Sequence, residues 1–271
     1  MPGPDPLAAL AALPAVTEAV AQARQACTEL RWHPALRRRT AEVRTEACVR
    51  AAAASAELEG VRLPLAQVRA MVAPAPTPPA EGAAAAQGGV DPVDAVVRGS
   101  LRATLETFGL APGLHRAPAQ VLARLHALAA ADLVGPAGTD VLGRPAPGAA
   151  ARVSGLVALL AAGTGAPGLV LAALAEAELT TTAAFVPAGG VVARALARTV
   201  VVASGLDPHG VVVPERHALA DRPGRESALA GYAGGTPEGV QAWVVWWGQA
   251  VVAGAGHGRR VADEVMAGRL A

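Results

Sequence analysis

Along most of this chain apolar residues recur three and four positions apart, in runs too long for strands and bounded by Pro, Gly or short polar clusters. That spacing is the period of a helix with one buried face. It predicts helices over residues 7–26 and 35–57, the second opened by Pro34, whose missing N–H costs nothing in a first turn. Gly60-Val-Arg-Leu-Pro64 stops the second helix, and residues 65–72 read as a short one beyond it. Further helices are expected over 92–108, 117–132, 151–162, 168–180, 191–204, 226–233 and 238–253. Period-two alternation is nowhere sustained, so the expected class is all-α. Between Gly135 and Gly148 the glycines and prolines frame Val141-Leu142, where a small loop or β-hairpin is expected.

The run Ala73-Pro-Ala-Pro-Thr-Pro-Pro-Ala-Glu-Gly82, followed by four alanines and Gln87-Gly-Gly, has the composition of a linker. It predicts an N-terminal helical region over 1–72, a linker over 73–90 and a helical core over 91–271. With 52% hydrophobic residues among 271, a sizeable core can form, but aromatics are only 3%, so Ala, Val and Leu must fill it. All 23 basic residues are Arg, and 22 acids leave a net charge of +1. Such a balance offers no footprint for nucleic acid or anionic membranes. The Arg37–Arg39 cluster, followed by Glu42 and Glu46, reads as a solvated face. Two cysteines, Cys27 and Cys48, suit a reducing compartment. The start Met1-Pro-Gly-Pro-Asp-Pro lacks the basic region of a secretory signal, and the apolar windows at 169–179 and 240–255 fall short of the roughly 20 residues needed to span a bilayer. A cytoplasmic location is expected.

Residues 169–214 carry a resemblance. A helix ending Ala-Glu-Ala-Glu178-Leu-Thr-Thr-Thr leads to Ala183-Ala-Phe185-Val-Pro-Ala-Gly189-Gly190-Val-Val-Ala-Arg194, and an apolar helix follows to Gly205-Leu-Asp-Pro208. This is similar to the Fic family, whose signature His-Pro-Phe-x-Asp/Glu-Gly-Asn-Gly-Arg-x-x-Arg occupies a loop that opens a helix. In an ungapped register the family's catalytic His falls on Ala183, its Pro on Ala184, its metal-binding acid on Pro187, its Asn on Gly189 and its first Arg on Val191. Phe185, Gly190 and the second Arg, at Arg194, are kept. The resemblance implies a Fic-type helical fold and an ancestral activity of AMP transfer to a protein hydroxyl. It also implies that the base, metal and first-Arg positions are empty of their chemistry. No catalytic residue and no metal ligand is expected. Gly189, Gly190 and Arg194 stay as an anion or nucleotide site, because N–H groups at a helix start favour anions, and a nucleotide such as ATP would bind there with weak or no dependence on Mg²⁺.

Ser55-Ala-Glu-Leu-Glu59-Gly60 matches the family's inhibitory-helix pattern Ser/Thr-x-x-x-Glu-Gly/Asn. There the Glu reaches the second Arg of the signature, so the resemblance pairs Glu59 with Arg194. The plain alternative is a helix end with Gly60 as its left-handed cap. Leu142-Gly143-Arg144 stands where the family has its substrate-docking flap.

Other signals compete. Gly163-Thr-Gly165-Ala-Pro-Gly168 is a literal G-x-G-x-x-G, but the run before it is Leu/Ala-rich and helix-like, whereas a dinucleotide fingerprint needs a strand there. The histidines at 33, 115, 126, 209, 217 and 257 show no metal-ligand spacing. His209 and His217 read as loop histidines or as residues at the mouth of the site. Trp243, Trp246 and Trp247 lie on one helical face, either as core or as a seam for a partner or second subunit. The expected function is a catalytically impaired regulatory or scaffold protein. The alternatives are a divergent protein nucleotidyltransferase and an NAD(P)-dependent oxidoreductase.

Overall fold

Pro14 and Pro34 decide how the chain enters its first long helices. In the computed structural model, which describes residues 5–72 and 91–270, the expected first helix is divided at Pro14 into α1 (Ala8–Ala11) and α2 (Pro14–Arg31). The second is divided at Arg39, whose φ of −124° is not helical, into α3 (Ala35–Arg38) and α4 (Thr40–Leu58). α5 (Leu65–Ala70) follows. The expected linker over 73–90 lies outside the described residues. Asp91 then caps α6 (Pro92–Leu110) by accepting the Val93 N–H, and α7 (Pro118–Ala130), α8 (Ala150–Ala162), α9 (Gly168–Thr181) and α10 (Gly189–Ala203) complete the middle of the chain. The last elements are α11 (Glu215–Ala220), α12 (Arg222–Ala233) and α13 (Pro237–Met266). The fold is all-α among the described residues.

α13 is the spine. α2 and α12 run along it, and α4, α9 and α11 also pack on it. It was expected to end near residue 253, because glycine is costly within a helix, yet it continues through three more glycines to Met266. Packing explains why. A β-carbon on Gly254 would stand 2.8 Å from the backbone of Val213 and Pro214, and one on Gly258 would stand 2.5 Å from the Val211 carbonyl oxygen. These glycines let a neighbouring backbone approach, and the contact outweighs the propensity.

α9 and α10 pack on one another, and α10 also meets α6 and α7. The N-terminal region has no core of its own. Val16, Val20 and Leu30 belong to the same apolar cluster as Leu174, Leu196 and Val261, so helices from either side of the proposed linker share one interior.

One expectation changes. No hairpin forms around Val141-Leu142. The segment takes 3₁₀ turns at Pro136–Val141 and Pro147–Ala149, as its closely spaced prolines remove the donors a ladder needs. The three tryptophans are core, one of the two readings that their spacing allowed. Trp243, Trp246 and Trp247 are buried, and their ring N–H groups donate to the Ala173 carbonyl, Asp221 and Glu176. Cys27 and Cys48 are free and buried. Burial pushes the Cys27 thiol up to about 12, and it raises Cys48 too, so neither is a nucleophile at neutral pH. No described helix is long and apolar enough to cross a membrane.

Candidate functional site

The loop from α9 into α10 is shaped by small residues in unusual conformations. Ala183 has φ +47° and Ala188, the residue before α10, has φ +70°. A β-carbon in this region costs roughly 1–2 kcal/mol, so packing must hold the loop. Phe185 is buried as an anchor, and the Val186–Pro187 peptide is cis. Behind the loop stands His126 of α7, fully buried, with its ring 4.9 Å from that of Phe185. The Gly143 N–H donates to His126 Nδ1 at 3.0 Å, which leaves the proton on Nε2 to donate to the Pro187 carbonyl at 3.1 Å. Burial lowers the pKa of this imidazole and keeps it neutral. One histidine thus ties the Leu142-Gly143-Arg144 segment to the loop, and Ala146 N–H donating to the Ala184 carbonyl at 2.8 Å ties it again. Nothing in the sequence marked His126, which stands in no motif.

The centre of the site is Arg194, in the second turn of α10 and only 6% exposed. Its Nε donates to Ser55 Oγ at 2.9 Å, and its Nη2 donates to the Ser55 carbonyl at 3.1 Å and to Glu59 Oε1 at 2.7 Å. α4 delivers both partners from one face, one turn apart. It ends just there, with Glu59 as its C-terminal cap and Gly60 at φ +86°. That left-handed turn lets the Val61 N–H return to the Ala56 carbonyl at 3.0 Å. Gly190 completes the arrangement, because a β-carbon there would stand 2.2 Å from Glu59 Oε1. Ser55, Glu59, Gly190 and Arg194 are therefore one cluster. Gly189 opens α10 with free space about its Cα. Gly143 joins the loop through His126, while Arg144 is exposed.

Below Arg194 lies a second buried layer. Arg198 pairs with Glu215 at 3.2 Å, with both side chains almost wholly buried. Glu176 accepts from Arg225 at 2.7 Å and from Trp247 Nε1 at 2.9 Å. A cavity of about 20 Å³, lined by Arg194, Arg198, Glu176, Glu215 and Trp247 among others, separates these pairs. That is room for about one water, and Arg198 Nε and Arg225 Nε have no partner among the described residues. The layer binds helices together with charge and contains no free nucleophile.

Position by position, the loop offers hydrogen-bond donors and a guanidinium. Ala183 puts no base beside it, and among the described residues no three His, Cys, Asp or Glu side chains converge as a metal site. His209 contributes its carbonyl to Arg44 at 2.8 Å. His217 sits on α11 with its ring 5.5 Å from Trp246, packed rather than lining a mouth. Gly163–Gly168 is the turn between α8 and α9, and Asp5 fills it by accepting from the Thr164 hydroxyl and the Gly165 N–H. A helix precedes that turn, so the strand of a dinucleotide fingerprint is missing. Comparison with protein-family models and with curated proteins finds no match to this chain.

Proposed function

We propose that this chain is a catalytically silent, Fic-like regulatory or scaffold protein in which the anion-receptive end of α10 is held closed by its own Glu59. The observation that carries this reading is the Glu59–Arg194 contact. A buried guanidinium must have an anion or several acceptors around it, and here a carboxylate from another helix fills the place beside Gly190 where a phosphate oxygen would sit. Phosphoryl transfer asks for more than that. A base takes the hydroxyl proton, and its absence alone costs about 10²- to 10⁴-fold. The positions that would supply the base, the metal ligand and the first Arg hold Ala183, Pro187 and Val191. What the site keeps is recognition of an anion, which a regulatory protein can use without chemistry. The two buried, unpaired thiols suit a cytoplasmic setting.

Incubation with radiolabelled ATP, Mg²⁺ and a pool of cytosolic proteins tests the silent part of the reading. Wild type and Glu59→Ala are expected to transfer no more label than Arg194→Ala. Transfer above that control by either protein makes the chain an enzyme and removes the proposal.

A further inference from the structure

A groove of about 530 Å³ opens between the C-terminal half of α4, the turn into α5, α11 and α13. None of the residues around Arg194 lines it. Its walls include Arg50, Glu57, Arg62, Leu63, Arg216 and His257. Three guanidiniums thus face one carboxylate. Widening the circle to the charged groups that touch these residues adds Glu46 and Glu264, which pair with Arg50, but also Arg69 on Glu46, Arg260 on His257 and Arg222 on the Glu57 carbonyl. The positive excess rises from two to three.

Arg50 is committed to Glu46 and Glu264, but the other two guanidiniums are not. Arg62 meets Glu57 only at 3.8 Å, with its side chain 82% exposed. The Arg216 side chain makes no hydrogen bond or ion pair with any described residue. His257 accepts from Arg260 at Nδ1, at 3.2 Å, which places its own proton on Nε2, and that nitrogen is buried with no partner among the described residues. Buried polar atoms are nearly always paired. Arg62 and Arg216 thus line one positively charged groove, with the ring of His257 in its wall.

We propose that this groove binds a small phosphate monoester, with its phosphate held by Arg62 and Arg216 near the ring of His257 and its organic part against Leu63, Leu65 and Ala53. The volume suits a small ligand. The charge selects the head group, since a phosphate monoester carries close to two negative charges at neutral pH and a carboxylate carries one. The guanidinium forks present paired N–H groups to its oxygens. This site is separate from the cluster at Arg194 and does not depend on the reading of that cluster.

Phenyl phosphate titrated into the full chain, followed through the imidazole C–H signals of His257 by NMR, tests this. The signal is assigned with His257→Gln. A saturable shift is expected in wild type and, at the same affinity, in Glu59→Ala, which alters only the other site. Binding is expected to weaken by about tenfold or more in Arg216→Gln and in Arg62→Gln, as each loses a charge-assisted hydrogen bond. Benzoate is expected to bind more weakly than phenyl phosphate by a similar factor. No saturable shift, or unchanged affinity in both arginine variants, overturns the site. Equal binding of benzoate overturns the assignment to phosphate.

Discussion

Glu59 Oε1 lies 2.7 Å from Arg194 Nη2 and would lie 2.2 Å from a β-carbon placed on Gly190. One carboxylate oxygen therefore depends on two residues of α10, on a charge at one and on an absent side chain at the other. Gly190→Ala should move the flexible Glu59 side chain away while leaving both charges in the protein. It should then behave like Glu59→Ala. Both variants are expected to bind inorganic phosphate or ATP at least about tenfold more tightly than wild type, the usual scale for a charge-assisted hydrogen bond. Calorimetric titration reads this directly. A Gly190→Ala protein that binds like wild type would show that the carboxylate does not block the site.

Ser55 makes a separate contribution. Ser55→Ala leaves the Glu59 contact in place but strands Arg194 Nε, which is buried against Ser55 Oγ. Loss of about 1–3 kcal/mol is expected in urea unfolding, the cost of one unsatisfied buried donor. Glu59→Ala should cost less, about 1 kcal/mol, because its side chain is 31% exposed and water replaces part of the interaction.

Much of this cluster was legible in the sequence, and the reason is local. Ser55, Glu59 and Gly60 sit on one face at the end of one helix, and Arg194 sits one turn beyond a Gly-Gly pair, so short-range spacing carries the information. Their meeting across 135 residues came from the resemblance rather than from any pattern in the chain. His126 was not legible, because a lone histidine acquires its role only when Gly143 and Pro187 arrive from other segments. The same holds for the Arg198–Glu215 pair. Helix ends went astray where packing overrode propensity, as at Gly254 and Gly258, and where one backbone break, at Arg39, cut a continuous apolar pattern. The tryptophan spacing marked a face correctly and could not say that the face points inward.

Ala188 holds a left-handed conformation at φ +70° immediately before α10. Ala188→Gly relieves the clash of the β-carbon, partly offset by the greater freedom of glycine in the unfolded chain. A net gain of about 0.5–1 kcal/mol is expected, seen as a higher Tm with no loss of phosphate binding in the Glu59→Ala background. A lower Tm would mean that the loop is not held in this conformation.

His126→Phe keeps a ring against Phe185 but removes both hydrogen bonds. The stranded Gly143 N–H and Pro187 carbonyl should cost about 2 kcal/mol together with the change in shape. Amide exchange at Gly143 should accelerate in parallel. Exchange at wild-type rate would uncouple the 142–144 segment from the loop.

Acid should weaken the fold through two histidines. Burial, with Arg50 and Arg216 from facing helices and Arg260 on its own, lowers His257 from 6.5 to about 4, against a small opposing effect of Glu264. The unfolded chain takes up a proton near pH 6.5 that the folded chain refuses until about pH 4. Stability from this group is complete above pH 6.5 and is lost as pH falls across that window, on the order of 1–2 kcal/mol after allowance for solvent screening. His126, lowered by burial, acts in the same direction. Denaturation curves between pH 7.5 and 4.5 should show a shallower decline in His257→Gln, and an equal decline would assign the effect elsewhere.

The most direct measurement is a thermal-shift titration of ATP, with and without Mg²⁺, on wild type, Glu59→Ala and the Glu59→Ala/Arg194→Ala double variant. Ligand at about 100 times its Kd adds roughly 2.7 kcal/mol to the folded state. The account predicts a small shift in wild type, a clear shift in Glu59→Ala that Mg²⁺ changes little, and no more than the wild-type shift in the double variant. A shift as large in wild type as in Glu59→Ala, or a Glu59→Ala shift that survives undiminished the loss of Arg194, would contradict it.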